Sequence, residues 1–277
     1  MNKGQKNKKS DDKPPILLIH PVGIGLSGWF WEKVIKSMSN NHDYISDIYC
    51  PDLIGNGKVG DIWIPSERGL FFPLDWARQC ETLLHDVMDC QSCIVVVQGG
   101  LAPVGVLLAH RNPSIVKSLI LCSPPTWDEM TRSIPDDELQ RNFDFLTSNF
   151  GAAAFSLLET RWAVRFFSNL FLFKDEADGK WLENVMNDCI VGNRSVIAAF
   201  NSGLCIHRSF EDELMELETP TLIISGNSDR RQDRRKDYFM KMKRCQEIIL
   251  DGCNVLPWES SEAVVESIFT FIKDKFR

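Results

Sequence analysis

Cys93-Ile94-Val95-Val96-Val97-Gln98-Gly99-Gly100-Leu101-Ala102-Pro103-Val104-Gly105-Val106-Leu107-Leu108-Ala109 carries an unbroken apolar run into a helical pattern through three turn residues. A short continuous apolar run of this kind, here Cys93 to Val97, is a strand buried on both faces. Leu101 to Ala109 reads as the helix that follows it. The alternation continues in both directions. Upstream lie a strand at Pro15 to His20, a helix at Trp29 to Met38, a strand at Tyr44 to Tyr49 and an amphipathic helix at Leu74 to Met88. Downstream, Val116 to Cys122 is the next strand. Strand, helix and strand in succession require right-handed crossovers, so the predicted class is α/β, with a mostly parallel central sheet flanked by helices.

From Pro124 the pattern turns helical for almost a hundred residues, until Thr219-Pro220-Thr221-Leu222-Ile223-Ile224 restores a strand. A helix through Met242, a strand at Glu247 to Leu250 and a final helix from Glu262 to Phe276 follow. The expected organisation is a disordered tail over 1–14, a first core segment over 15–123, an inserted helical cap over 124–218 and a second core segment over 219–277.

The 277 residues, 44% of them apolar, suffice for a sizeable core. A net charge of −7 argues against a general nucleic-acid or anionic-membrane binder, since both need a basic face to displace counterions, and leaves room only for local basic patches. Nine cysteines without paired short spacings point to reduced thiols and a cytoplasmic location rather than a disulfide framework or a zinc site. Cys90 and Cys93 form a C-x-x-C, but at the start of a strand instead of a strand-to-helix turn. The lysine-rich first residues lack the apolar segment of a secretory signal, and no run is long enough to span a bilayer. No cofactor or metal is implied.

Four strings, in order, resemble landmarks of the α/β-hydrolase superfamily. Ile19-His20-Pro21-Val22-Gly23 is similar to its His-Gly oxyanion loop, and Pro51-Asp52-Leu53-Ile54-Gly55-Asn56-Gly57 to its Pro-Asp-x-x-Gly-x-Gly turn. Ser225-Gly226-Asn227-Ser228-Asp229 resembles the loop supplying the acid, and Gly252-Cys253-Asn254 with Glu259 the loop supplying the histidine. The resemblance covers residues 15 to 275 and implies an elbow nucleophile, an acid and a base. Here the elbow reads Gln98-Gly99-Gly100, and either Gln98 or Gly99 takes the nucleophile position depending on register. Neither supplies a nucleophile. Asn254 takes the base position, where an amide cannot shuttle a proton near neutral pH. Asp229 matches the acid. His20, Val22, Gly23, Gln98 and Gly100 are the candidate pocket and oxyanion residues, with backbone N–H groups of Val22 and Gly100 as the two donors that the resemblance implies.

The expected function is a hydrolase-like protein without serine-hydrolase activity, a pseudoenzyme whose hydrophobic pocket binds an apolar small molecule or a protein partner. The alternative is an active hydrolase of esters or acyl groups, or a cofactor-free enzyme, using a displaced nucleophile such as Ser123 or Cys253; His207 is the substitute base to consider. Ten aromatics between Phe143 and Trp181 are expected to pack the cap on the sheet, with a greasy cavity as the competing reading, and one of Trp29, Phe30 and Trp31 is expected near the same cavity. Arg230, Arg231, Arg234, Arg235 and Lys236 read as a solvated face.

Overall fold

A computed structural model describes residues 13–39, 45–57, 74–189, 194–203 and 207–273. Of the expected tail, residues 1–12 lie outside these, as do His42, Tyr44, Cys205 and the end of the last predicted helix. Pro14 is buried, and its carbonyl accepts the Ser46 N–H at 3.3 Å.

Among the described residues six strands, β1 Ile16–Ile19, β2 Ile48–Tyr49, β3 Cys93–Gln98, β4 Val116–Cys122, β5 Thr221–Gly226 and β6 Cys245–Leu250, form one sheet in the order β2-β1-β3-β4-β5-β6. Every neighbouring pair is parallel. Side chains alternate between two cores. Leu17, Ile19, Val95, Val97, Leu119 and Leu121 face one, while Ile16, Leu18, Ile94, Val96 and Ile120 face the other. This is why the central strands read as continuous apolar runs rather than alternating ones. Helix α1 (Glu32–Ser39) packs against the long C-terminal helix on the second face, and α2 (Leu74–Thr82) against α3 (Ala102–Arg111) on the first. The chain leaves β1 for β2 on one side and β3 on the other. The crevice at this switch point, beyond the strands' carboxyl ends, is where open α/β sheets hold ligands.

Between β4 and β5 every element among the described residues is helical: α4 Trp127–Thr131, α5 Asp136–Thr147, α6 Asn149–Leu158, α7 Arg161–Phe171, α8 Gly179–Asp188, α9 Arg194–Asn201 and α10 Glu211–Glu216. Their starts are written in the sequence. Thr126, Ser148, Thr160 and Asp178 each accept the backbone N–H three residues on, and Thr126 completes a capping box with Glu129. The remaining helices are α11 Lys236–Lys241, α12 Leu256–Glu259 and α13 Ser261–Lys273.

Some boundaries differ from those predicted. The helix expected over Trp29 to Met38 opens as a tight 3-10 turn, Gly28–Trp31, before α1. The one expected over Leu74 to Met88 widens after Thr82 into a π-type turn, Leu83–Val87, closed by Met88 N–H on the Leu83 carbonyl at 2.9 Å. Apolar spacing cannot separate these backbones, because the same face stays buried in each. Short α12 was not expected.

Candidate functional site

A cavity of about 370 Å³ opens at the carboxyl ends of β1, β3 and β4, roofed by residues from the helical segment. Its lining joins Val22, Gln98, Gly99, Gly100, Ser123 and Asn254 from the strand-end loops. Leu172, Phe200 and Arg132 close it from the helices between β4 and β5.

The strand-to-helix elbow is sharp. Gly99 follows β3 directly and has φ +63°, the left-handed conformation that glycine adopts at little cost. A Cβ added there would meet nothing within 4 Å, so any side chain at this position would project into open space. Gln98 behaves differently. It is extended, buried, and its Nε2 donates to the Asn254 carbonyl at 2.9 Å, which fixes the amide orientation and leaves Oε1 without a hydrogen-bond partner. Gly100 faces Phe200 of α9: a Cβ there would stand 2.3 Å from the ring's Cζ, closer than any side chain allows.

His20 does not line the cavity. It is fully buried, and its Nε2 accepts from the Leu53 N–H at 3.1 Å. A backbone N–H can only donate, so the proton sits on Nδ1, which donates to the Pro21 carbonyl at 2.8 Å. Burial lowers the imidazole pKa despite that bond. The ring is therefore a neutral strut between β1 and the 51–57 loop. Gly23 likewise stands behind the lining, where its carbonyl accepts the Leu26 N–H at 3.2 Å. Among the described residues no histidine lines the cavity: His85 bonds to Asn112, His110 faces Glu216, and His207 is not in the lining.

Asp229 and Asn254 do meet. Asn254 Nδ2 donates to Asp229 Oδ2 at 3.3 Å. The same oxygen takes the Arg235 guanidinium at 2.8 Å, and Oδ1 takes the Arg231 N–H at 3.0 Å. Burial pushes the Asp229 carboxyl up, but Arg235 and the Arg231 bond outweigh it and hold its pKa below the ordinary carboxylate range. Arg235 corrects the reading of the basic cluster as a solvated face, for it is 0% exposed and its Nε donates to the Pro124 carbonyl at 2.6 Å. Arg231 is half-buried and lines the cavity; Arg230, Arg234 and Lys236 are exposed. Charge density in a sequence does not reveal a buried partner such as Asp229.

Glu259 accepts from the Cys253 N–H at 2.8 Å and the Lys174 N–H at 2.7 Å, pinning the Asn254 loop to the helical segment. Cys253 itself points away from the cavity toward the carbonyls of Phe171 and Ser228, and burial, with the charges of Asp229 and Glu259, raises its thiol pKa. Ser123 is the other displaced candidate. It follows β4 with φ +45°, is 1% exposed, lines the cavity, and its Oγ has no hydrogen-bond partner. Cys93 opens β3, at the opposite end of the strand from the elbow.

The aromatic expectations hold in part. Phe143, Phe155, Phe173 and Trp181 are buried, as packing requires. Phe145, Phe150, Trp162, Phe166, Phe167 and Phe171 are exposed instead, and none of the ten lines the cavity. Phe30 and Trp31 are buried, while Trp29 packs edge-on against Trp181 and Trp258, so these three lie outside the lining as well. Phe200 and Leu172 supply the apolar wall, and no local signal in the sequence marks them. Among the described residues no cluster of potential metal ligands occurs, and no helix is long and apolar enough to cross a membrane.

No protein-family profile matches the sequence, and no curated protein matches it. Solved structures do match. DBJA superposes with a TM-score of 0.71 at 20% identity, over 96% of this chain and 91% of that one. A thermophilic esterase from Thermogutta terrifontis gives 0.69 at 15% identity, over 97% and 92%. The enol-lactonase from Burkholderia xenovorans LB400 gives 0.68 at 16%, over 98% and 94%. The chain thus has the α/β-hydrolase fold, as the four strings from Ile19 to Asn254 led us to expect. At these identities the likeness speaks for architecture, and chemistry has to be argued from the site itself.

Proposed function

We propose that the protein holds a small molecule with an apolar body in the strand-end cavity and does not run acyl-serine chemistry. One observation carries this reading: the elbow position at Gly99 is open but bears no reactive atom, and the group facing Asp229 is the Asn254 amide. In this reading Gly99, Asp229 and Asn254 take the positions of nucleophile, acid and base. A carboxylate in that place would orient an imidazole; here it neutralises Arg235 instead. Residues 124–218 act as the cap, and the cysteine pattern supports a reducing, cytoplasmic setting.

The cavity falls within the range of about 300–1,000 Å³ usual for small-molecule sites. Leu26, Pro103, Leu172 and Phe200 offer apolar wall. Gln98 and Ser123, both lining residues, carry buried polar atoms, Oε1 and Oγ, with no internal partner. The main-chain N–H groups of Val22 and Gly100 are suited to its carbonyl or carboxylate.

Purified protein should show no labelling by a fluorophosphonate and no turnover of short p-nitrophenyl esters, and native mass spectrometry should show a retained apolar molecule. Labelling abolished by a single Ser or Cys substitution would refute the reading. Ser123 is the one residue that favours the alternative of an active enzyme, through its strained backbone and unbonded hydroxyl at the cavity. That alternative requires Ser123→Ala to remove both labelling and turnover.

A further inference from the structure

Helices α6 and α7 expose an apolar face where a water-soluble surface would carry charge. On α7, Ala163, Val164 and Ser168 face inward, whereas Trp162, Phe166, Phe167, Leu170 and Phe171 face solvent. The outer rings stack on one another, Trp162 on Phe166 and Phe167 on Phe171. Helix α6 also leaves Phe150 (70% exposed), Leu157 and Ala152, Ala153 and Ala154 exposed. Monomeric proteins rarely leave such a patch without a purpose.

The two helices themselves carry only positive charge, although exposed Asp144, Asp175 and Glu176 flank them in sequence. Neither α6 nor α7 contains an acidic residue, in a chain whose net charge is −7. Arg161 and Arg165 are exposed one turn apart beside Trp162 and Phe166. Glu159, which separates the helices, is already held by Arg194. A helix with Trp, Phe and Leu on its outer face and arginines at the edge of that face has the composition of an interfacial helix. The flush alanines and outward rings ask for a fluid surface rather than a shaped protein partner.

We propose that α6 and α7 dock the protein on an anionic lipid bilayer, with the rings entering the boundary between headgroups and acyl chains and with Arg161 and Arg165 meeting the headgroups. Docking is independent of whether the cavity holds a ligand. Leu172 follows Phe171 directly and lines the cavity, so docking also sets the cavity beside the lipid; that consequence alone rests on the ligand reading.

The test is flotation of the full chain with phosphatidylcholine vesicles containing or lacking phosphatidylglycerol. Binding to the anionic vesicles is expected, with Trp162 quenched by brominated acyl chains. Arg161→Gln with Arg165→Gln should weaken it roughly 30-fold. The triple variant Trp162→Ser, Phe166→Ser, Phe171→Ser should abolish it while leaving Tm unchanged or raised, since the rings are exposed. Because Lys3, Lys6, Lys8 and Lys9 are also cationic, a variant with these four as Gln is compared, and it should still float. Absence of flotation, flotation lost only in the lysine variant, or a dimer dispersed by the triple variant without vesicle binding would each overturn the proposal.

Discussion

At Asp229 one carboxylate serves a buried cation, and its loss would leave Arg235 charged and unpaired in the interior. Breaking such a pair from one side costs about 3–5 kcal/mol, so Asp229→Asn should lower the urea-unfolding free energy at pH 7 by roughly that amount. The pH dependence follows from the shift. A carboxyl whose folded pKa is depressed contributes stability that is present above its unfolded value, about 3.9, and lost as pH falls through the folded one. The gap between the parent and the variant should therefore narrow as pH falls below about 4, and a constant gap would sink the argument. The Gln98-Gly99-Gly100 turn and Asn254 were legible in the strings that end β3 and β6, with the elbow register left open between Gln98 and Gly99. The Arg235 partnership was not, since nothing local distinguishes a buried arginine from its exposed neighbours.

Helix α3 sits on the sheet through a close approach at Gly105. A Cβ there would lie 2.5 Å from Val97 Cγ2 and 3.1 Å from Leu119 Cδ1. Alanine favours a helix interior over glycine by about 1 kcal/mol, whereas overpacking costs about 1–3 kcal/mol, so crowding wins. Gly105→Ala should destabilise the fold by up to about 2 kcal/mol, and adding Val97→Ala should recover part of that in chemical denaturation. At this scale the sequence was most readable for β1, β3, β4 and α3, whose apolar runs are long and bounded by glycine, proline or asparagine. It was least readable for α7. Its aromatic spacing fits a core-facing helix, and only packing reveals that Trp162 and Phe166 face outward while Ala163 and Val164 face in.

For the molecule as a whole, the cavity is a joint product of loops far apart in the chain, from Val22 to Val255. A ligand bound there stabilises the folded state alone. At a hundredfold excess over its dissociation constant this amounts to about 2.7 kcal/mol, equivalent to roughly 5 °C in Tm for a chain of this size. Stripping the protein by denaturation and refolding should lower Tm accordingly, and adding back the extract should restore it; equal Tm before and after would count against a resident ligand. The sequence by itself determined the parallel α/β architecture, because doubly buried strands need continuous apolar runs, and it displayed the glycine elbow and the amide at 254. Only the tertiary structure decided that Arg235 is buried against Asp229, that Phe200 closes over Gly100, that His20 is a strut and that the rings of α7 face outward. Each of these depends on which distant surfaces meet, and residue order encodes that only through the completed packing.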